Sequence, residues 1–295
     1  MALGSPTVFR RRLVAELRRR REAVGFSGPQ VAKALTWSTS KISRLENGQI
    51  LPNSTDVENL LDLYEMPEPD RSQLLALVPQ CSAPEWWEKY SDAISEDYVG
   101  FLGFESGAIE RWDWQSLVIP GQLQTEAYAR AIIGTGYFGE LTPRQIRRRT
   151  ELRIERKEKY INNPSLTSKI IIDESVLARK IGDESLMAEQ LHHLQELSER
   201  PNIELQVLLN DQGLPVPVAN FILLRFPMLE NLGELYPDVL YVENEAGGGV
   251  DEDEIRTHRY HLAFARLSEV ALSPAESMDF LAERETKWAS RPVSG

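Results

Sequence analysis

The amino-acid sequence predicts an α+β protein whose N-terminal domain is all-helical, and three observations lead to this prediction. Helix caps and apolar side chains at helical spacing recur through the first 80 residues. Strand-like alternation begins only after Thr167 and is most regular from Ile203 to Leu209. Charge is divided in the same way: residues 1–55 carry ten basic and three acidic side chains, a net +7, so that the total of −12 leaves −19 for the rest of the chain. A basic helical head should therefore precede an acidic body with a small, mainly antiparallel sheet.

Residues 27–48 predict two short helices joined by a tight turn. Each helix has its own N-terminal cap, which is Ser27 with Gln30 three residues later for the first helix, and Ser38 for the second. Asn47-Gly48 ends the second helix with residues that tolerate a left-handed backbone. The apolar side chains of the pair recur three or four residues apart and should face inward: Val31, Leu35, Ile42 and Leu45.

The outward positions of the second helix predict contact with DNA. They hold no bulky apolar side chain, and they are Thr39, Ser40, Lys41, Ser43 and Arg44. A polar helix of this kind suits insertion of its N-terminal half into the major groove. An ordinary helical hairpin within a bundle is the alternative, but the agreement of caps, turn and outward polar residues favours DNA binding.

This stretch resembles the XRE family of phage-repressor-like helix-turn-helix domains, above all in Ile42-Ser43-Arg44-Leu45-Glu46-Asn47-Gly48. The resemblance implies a five-helix, lambda-repressor-like head that binds a double-stranded DNA operator. Two positions depart from the family pattern. Thr36 stands where the turn usually holds glycine, and Gly28 stands where a glutamine commonly contacts a phosphate.

An arginine-rich helix is predicted ahead of this motif, from about Val8 to Ala23, after seven residues that we expect to be disordered. Its apolar stripe consists of Phe9, Leu13 and Leu17. Arg11 and Arg19 of this helix are candidates for phosphate contacts, and Gln30 of the next helix is a further candidate DNA contact. A solvated charged face is the alternative for any single arginine.

Two more predicted helices and a linker follow the motif. Thr55 and Glu58 form a capping box for the fourth helix, and a fifth helix precedes the linker, Pro79–Pro84. The predicted domains are therefore a helix-turn-helix DNA-binding domain at residues 1–80 and an α+β effector and dimerisation domain at residues 81–295.

The body begins with a helical region that holds eight aromatic residues between Trp86 and Trp114. Such residues usually form core, and an aromatic pocket for a small molecule is the alternative. A first strand is expected at Trp114–Ile119, and Gly247-Gly248-Gly249 is expected to be a loop. The remaining expected strands lie at residues 169–173, 203–209, 220–226 and 239–243.

The body also resembles a known family, in Val118-Ile119-Pro120-Gly121-Gln122-Leu123-Gln124-Thr125 and in Tyr128-Ala129-Arg130. Shorter similar stretches follow at residues 174–177, 206–208 and 241–243. That family is a domain of unknown function found behind XRE heads in actinomycete antitoxin-like transcriptional regulators. Gln122 replaces its usual leucine. The resemblance implies a small partner protein, often encoded by a neighbouring gene.

A strongly basic helix is predicted from Thr142 to about Asn162, opened by another capping box. Its arginines and lysines need anionic partners inside an acidic body. We favour intramolecular pairing with acidic neighbours such as Glu151, Glu155 and Glu158, and a second DNA or protein surface is the alternative.

The sequence shows no recognisable catalytic, metal or cofactor site. The triple glycine is followed by the acidic run Asp251 to Glu254, which would repel a phosphate. His192 and His193 point in different directions on one helix, and no third ligand accompanies His258 and His261. We therefore expect no metal and no cofactor, and an enzyme is the least supported alternative.

The composition of the chain predicts the cellular compartment in which the protein is found. The chain has no apolar run long enough to span a membrane and no apolar signal segment at its N-terminus. Its single cysteine, Cys81, cannot form an internal disulfide, which fits a reducing cytoplasm.

These features predict a cytoplasmic, sequence-specific transcriptional regulator. A single recognition helix contacts only a few base pairs, so we expect a homodimer that places two such helices about 34 Å apart on the operator. For the body, the resemblance implies an antitoxin-like module that binds a small partner protein. A ligand-sensing regulator with an aromatic pocket is the alternative.

Overall fold

The computed structural model describes residues 4–135, 141–229, 233–244 and 247–291, and within them the chain forms twelve α-helices and eight β-strands. The predicted α+β class is confirmed. Contacts between Cα atoms divide the chain into two units. The first unit comprises residues 1–88, 102–108 and 226–237, and the second comprises residues 89–101, 109–225 and 238–295.

The helices and strands follow one another along the chain in this order: α1 (Pro6–Ala23), α2 (Gly28–Ala34), α3 (Thr39–Glu46), α4 (Ser54–Leu63), α5 (Asp70–Leu77), α6 (Glu96–Gly107), β1 (Glu110–Gln115), α7 (Glu126–Gly134), α8 (Pro143–Ile161), β2 (Thr167–Asp173), α9 (Glu174–Ala178), α10 (Glu184–Ser198), β3 (Ile203–Leu208), β4 (Phe221–Arg225), β5 (Met228–Leu229), β6 (Gly233–Glu234), β7 (Val239–Asn244), β8 (Gly247–Asp251), α11 (Glu254–Val270) and α12 (Pro274–Ala289).

The first unit is built around α1 to α5. The predicted stripe of α1, Phe9, Leu13 and Leu17, is buried, and the other four helices bury apolar side chains as well, among them Val31, Leu45, Val57, Leu60 and Leu74. Burying one such side chain stabilises the fold by about 1.5–3 kcal/mol. Residues 102–107 of α6 and the antiparallel pair β5–β6 belong to the same unit.

Two helix starts in this unit differ from the prediction. The first helix begins at Pro6 because Ser5 caps it, with the Ser5 Oγ accepting a hydrogen bond from the Val8 N–H at 3.3 Å. The expected disorder is therefore wrong for Pro6 onward, and residues 1–3 lie outside the described part. The fourth helix is capped by Asn53 rather than by a Thr55–Glu58 box, since the Asn53 Oδ1 accepts from the Asp56 N–H at 2.8 Å.

The second unit contains a six-stranded mixed sheet in the order β3-β2-β1-β4-β7-β8. The pairs β2–β3 and β1–β2 are parallel, whereas β1–β4, β4–β7 and β7–β8 are antiparallel. The edge strand β3 is covered, because the Val207 N–H donates to the Ser277 Oγ at 3.0 Å and the Leu272 N–H donates to the Val207 carbonyl at 2.9 Å.

Strand β1 begins four residues before the predicted strand Trp114–Ile119 and shares only Trp114 and Gln115 with it, so the predicted bounds were wrong. One face of β1 carries Trp112 and Trp114, and Trp114 packs with Phe221 and Phe264 in the apolar core between the sheet and α11. The other face carries Arg111 and Asp113, which are buried together and joined by an ion pair of 2.5 Å. A buried charge needs such a partner, and this polar sequence conceals the strand from a search for apolar alternation.

The triple glycine is the strand β8, not the expected loop. Gly248 lies against the hydroxyl end of the Tyr241 ring on the neighbouring strand β7, so that a Cβ atom at position 248 would occupy the space of that ring. Tyr241 in turn stacks on Phe101 with a centroid separation of 4.0 Å. In the described part of the chain, no helix is both long and apolar enough to cross a membrane.

Candidate nucleic-acid interface

The helix-turn-helix has the predicted local structure. Gln30 accepts hydrogen bonds at its Oε1 from the Ser27 N–H and hydroxyl, both at 2.7 Å. The Ser38 Oγ caps α3 by accepting from the Lys41 N–H at 3.1 Å. Gly48 ends α3 with a φ of +67°, and Thr36 in the turn has a φ of +56°. Thr36 therefore adopts the left-handed conformation for which glycine is the usual residue.

Apolar burial fixes α2 and α3 against each other. Val31 of α2 and Ile42 and Leu45 of α3 are buried, as the spacing predicts, whereas Leu35 is only half-buried. Ala32 is buried as well. The small side chain of Ala32 lets the two helices approach closely, and the remaining positions of α3 are directed away from this contact. The geometry of the exposed face therefore follows from the core.

Arg21 anchors the end of α3 to α1. Its guanidinium contacts both carboxylate oxygens of Glu46, at 2.6 and 3.1 Å, and donates to the Phe26 carbonyl at 2.6 Å. The hydrogen bond to Glu46 raises the pKa of Arg21 further above its ordinary value, so this arginine stays charged. A two-pronged contact fixes orientation as well as distance.

Four of the predicted DNA contacts form one exposed polar surface on α3. The side chains of Thr39, Ser40, Ser43 and Arg44 are exposed. The Arg44 Nε lies 3.3 Å from the Ser40 carbonyl one turn back, which is a long hydrogen bond that leaves the guanidinium in solvent. This surface can present hydroxyls and a forked cation to base edges.

Lys41, the fifth predicted contact on this helix, is less exposed. Its Nζ lies 2.7 Å from the Asp56 Oδ1 and 3.7 Å from the centre of the Trp37 ring. Both partners stand outside α3, because Trp37 belongs to the turn and Asp56 to the first turn of α4. The ammonium is therefore paired within the head.

The three remaining predicted contacts are placed differently. Gln30 is exposed at the start of α2, and its carbonyl oxygen is used in the cap. Arg19 is exposed and pairs with Glu16 at 2.7 Å, three residues earlier. Arg11 is exposed, with its guanidinium 5.9 Å from the centre of the Phe104 ring. Arg11 and Arg19 therefore do not share one local environment.

The sequence reasoning missed two residues beside the polar surface, Arg18 and Asn47. Both line an open depression of about 360 Å³, together with Thr39, Ser43, Gly28, Pro29, Ile42 and Glu46. The side chain of Arg18 is 57% exposed and pairs with Glu22 at 3.1 Å. Arg18 lies seven residues after Arg11, a spacing that puts both on one face of α1. That periodicity is a signal that could have singled out Arg18 among its arginine neighbours.

The basic helix of the second unit is mainly engaged within its own unit. Arg148 of α8 pairs with Asp92 at 3.1 Å and with Glu151 at 3.4 Å. Arg149 donates to the Ala93 carbonyl at 3.1 Å, and Arg153 donates to the Gln124 Oε1 at 2.9 Å. The structure therefore supports the favoured interpretation of intramolecular pairing.

The aromatic residues and the histidine considered as ligand-binding candidates in the second unit are engaged in packing or in an ion pair. Trp114, Phe101 and Tyr90 are buried in the unit. His261 contacts Asp238 at 2.7 Å, and its ring lies against Trp112. Within the described residues, no three His, Cys, Asp or Glu side chains gather in a way that could hold a metal ion.

Comparison with known families assigns both parts of the chain. Residues 12–74 match the helix-turn-helix domain, which confirms the predicted motif and points to a DNA-binding regulator. Residues 98–283 match the domain of unknown function DUF5753, which confirms that a domain of unknown function follows the helix-turn-helix. No curated protein and no solved structure matches the chain. Because the second match covers well over half of the sequence, the chain belongs to the DUF5753 family, with a helix-turn-helix domain ahead of the family's own domain.

Proposed function

We propose that the protein is a sequence-specific transcriptional regulator of the XRE type, in which α3 contacts base edges in the major groove. The observation that carries this proposal is the exposed polar surface of α3, held in place by the buried face of the same helix and by the Arg21–Glu46 pair. A rigid helix with a polar outer face is what direct base contact requires.

The exposed residues have different proposed roles. Arg44 can bind a guanine with two hydrogen bonds, which discriminates by about 1–3 kcal/mol against another base. Thr39 and Ser40 stand at the N-terminal end of α3, the end that enters the groove. Arg18, Arg19 and Arg11 on α1 contact phosphates, which orient the head and carry no sequence information.

The experiment compares Arg44→Ala with Arg19→Ala on two duplexes, one from a footprint on the gene's own promoter and one scrambled. Arg44→Ala should weaken binding to the promoter duplex and change binding to the scrambled one much less. Arg19→Ala should weaken binding to both duplexes by a similar factor. If one phosphate contact is lost, the slope of log K against log salt concentration should become shallower by about 0.9. Equal losses for both variants on both duplexes would remove the support for α3 as the recognition helix.

We also propose that the protein acts as a homodimer, and a stripe on α11 of the body supports this. Ile255 and Leu262 are 67% and 51% exposed. Arg259, which lies between them in the sequence, and Arg266, which follows Leu262, are also exposed. The spacing of four, three and four residues places all four on one face of the helix.

A second copy of the chain suits this stripe. Antiparallel pairing of two α11 helices about Arg259 brings Ile255 of each copy against Leu262 of the other. It also brings Arg266 of each copy to the acidic start of α11 in the other copy, Asp253 and Glu254. The opposed helix dipoles favour the same arrangement.

A cysteine at the centre of the stripe tests this dimer. Under mild oxidation Arg259→Cys, next to the two-fold axis, should form a covalent dimer, whereas Leu214→Cys, an exposed control in the same unit, should not. The native Cys81 does not interfere, because it is buried and burial raises the pKa of its thiol to about 11. Light scattering that gave a protein mass of 33.5 kDa, both for the free protein and for the DNA complex after subtraction of the duplex, would contradict the dimer.

A small partner protein is the second proposed protein contact, and the resemblance of the body to antitoxin-like regulators supports it. Among the described residues, β8 forms an outer edge of the sheet. An added strand can use such an edge through backbone hydrogen bonds. Co-expression with the small protein of a neighbouring gene should give a complex by native mass spectrometry, and separate masses for the two proteins would contradict the proposal.

A further inference from the structure

The ammonium group of Lys41 lies between an anion and an aromatic ring. Its Nζ is 2.7 Å from the Asp56 Oδ1 and 3.7 Å from the centre of the Trp37 ring. The side chains of Lys41 and Asp56 are 29% and 16% exposed, so the pair is partly shielded from water. Three elements of the head, the turn, α3 and α4, therefore meet at one cation on the candidate DNA surface.

This arrangement sets two interactions in competition. Lys41 stands in the first turn of α3, two residues after Thr39 and one after Ser40, where the proposed contact with DNA begins. A DNA phosphate that approaches there finds the cation already paired with a carboxylate. A carboxylate and a phosphate cannot both take the same close position on one ammonium without bringing two anions together.

We propose that Asp56 occupies, in the free protein, the position on Lys41 that a DNA phosphate takes in the complex. Asp56 thereby lowers the affinity of the head for any DNA backbone, whatever its sequence. The inference rests on the proposed DNA-binding function and adds to it a residue that sets the ratio of specific to non-specific binding. Non-specific affinity depends almost wholly on phosphate contacts, whereas specific affinity also includes base contacts.

Trp37 makes the exchange of anions possible without movement of the lysine. An ammonium above an indole face is attracted by the ring, and this attraction does not depend on which anion pairs with the cation. Glu46, the acidic residue at the end of α3, is held by Arg21 and does not take part. The exchange therefore concerns one carboxylate and one lysine.

The test uses Asp56→Asn in the full-length protein, with a 20-base-pair duplex of random sequence as the probe. The amide keeps the shape of the side chain. The cap of α4 is also kept, because the Asn53 Oδ1 accepts from the backbone N–H of residue 56 and the Asp56 carboxylate takes no part in it. The wild-type protein must break the Lys41–Asp56 pair before Lys41 can contact a phosphate, whereas the variant has no such pair to break. Asp56→Asn should therefore tighten binding about 2- to 5-fold at 0.1 M salt, which corresponds to one partly exposed ion pair.

Asp62→Asn is the matched control. Asp62 lies on the same helix, α4, and pairs with Arg71 at 2.7 Å, so the variant removes an equal charge and one ion pair from the same element. It should leave the affinity for the random duplex nearly unchanged. Equal tightening by both variants would show that net charge alone is responsible and would overturn the proposal.

A second pair of variants decides whether the effect passes through Lys41. Lys41→Gln should weaken binding to the random duplex, and Asp56→Asn should add no tightening in that background. The same gain with and without Lys41 would mean that Asp56 repels DNA directly, which overturns the proposal. Failure of the wild type to bind any duplex would instead count against the proposed function, so the two failures are distinguishable.

Discussion

The guanidinium of Arg21 and the carboxylate of Glu46 form the joint between α1 and α3. Two nitrogens contact two oxygens at 2.6 and 3.1 Å, and the side chains are only 11% and 15% exposed. The two residues lie 25 positions apart in the sequence, and their contact joins the C-terminal end of α3 to α1. Its loss should therefore affect both stability and DNA binding.

Replacement of Arg21 by methionine tests this joint. The variant keeps most of the apolar stem but leaves the Glu46 carboxylate and the Phe26 carbonyl without their donor. Because the pair is largely but not fully shielded, we expect the free energy of unfolding to fall by about 2–3 kcal/mol. Urea denaturation measures the change. Arg18→Met, which removes a more exposed arginine from the same helix, should cost less than about 1 kcal/mol.

Replacement of Thr36 by glycine should stabilise the head. Thr36 has a φ of +56°, a conformation that a β-branched side chain rarely adopts. Glycine removes that strain and loses some conformational entropy, so the expected gain is about 0.5–1 kcal/mol. Thermal unfolding followed by circular dichroism measures it. A lower melting temperature for Thr36→Gly would contradict this prediction. It would show that contacts of the threonine side chain stabilise the head by more than its left-handed backbone destabilises it.

His193 should make the stability of the body depend on pH. Burial lowers the pKa of His193 below its ordinary value of 6.5, and nearby Lys157 acts in the same direction. Below pH 6.5 the unfolded chain takes up the proton more readily than the folded chain, so the free energy of unfolding should fall as the pH falls through this range. His193→Gln should reduce that dependence. His192→Gln, a neighbour that is 61% exposed, should retain it.

Two N-terminal fragments test the proposed domain boundary. Residues 1–80 should fold alone, because α1 to α5 bury an apolar core of their own. Residues 1–88 should be more stable, since they restore the buried Cys81 and the hydrogen bonds from Thr7 to the Glu85 carboxylate at 3.0 and 3.3 Å. The urea midpoint of each fragment gives the comparison. A non-cooperative transition in both would place the boundary elsewhere.

Local signals made the helices of the motif predictable. Ser27, Ser38 and Gly48 determine where α2 and α3 begin and end through hydrogen bonds within a few residues, so the sequence contains the information. The same holds for α8 and α12, whose capping boxes at Thr142 and Ser273 are present in the structure. Capping is a short-range interaction and is visible in a single sequence.

Long-range interactions account for the parts that were not predicted. The bounds of β1 were predicted wrongly because Arg111 and Asp113 are charged, and charged residues do not indicate a buried strand. Only the folded sheet shows that the two residues are buried as an ion pair. The pairing of Lys41 with Asp56 was also invisible, since the two residues lie 15 positions apart on different helices. The candidate DNA surface was predictable in composition, whereas the internal partners of its charges were not.

The contact between Gly248 and Tyr241 has a consequence for how this sequence tolerates change. In a saturation library, position 248 should accept no other amino acid, alanine included, because any Cβ displaces a ring that is itself stacked on Phe101. Its neighbour Gly249 faces open space and should accept many substitutions. Two adjacent glycines would thus have opposite mutational profiles. That contrast would separate a strand from a flexible glycine loop without any structural measurement.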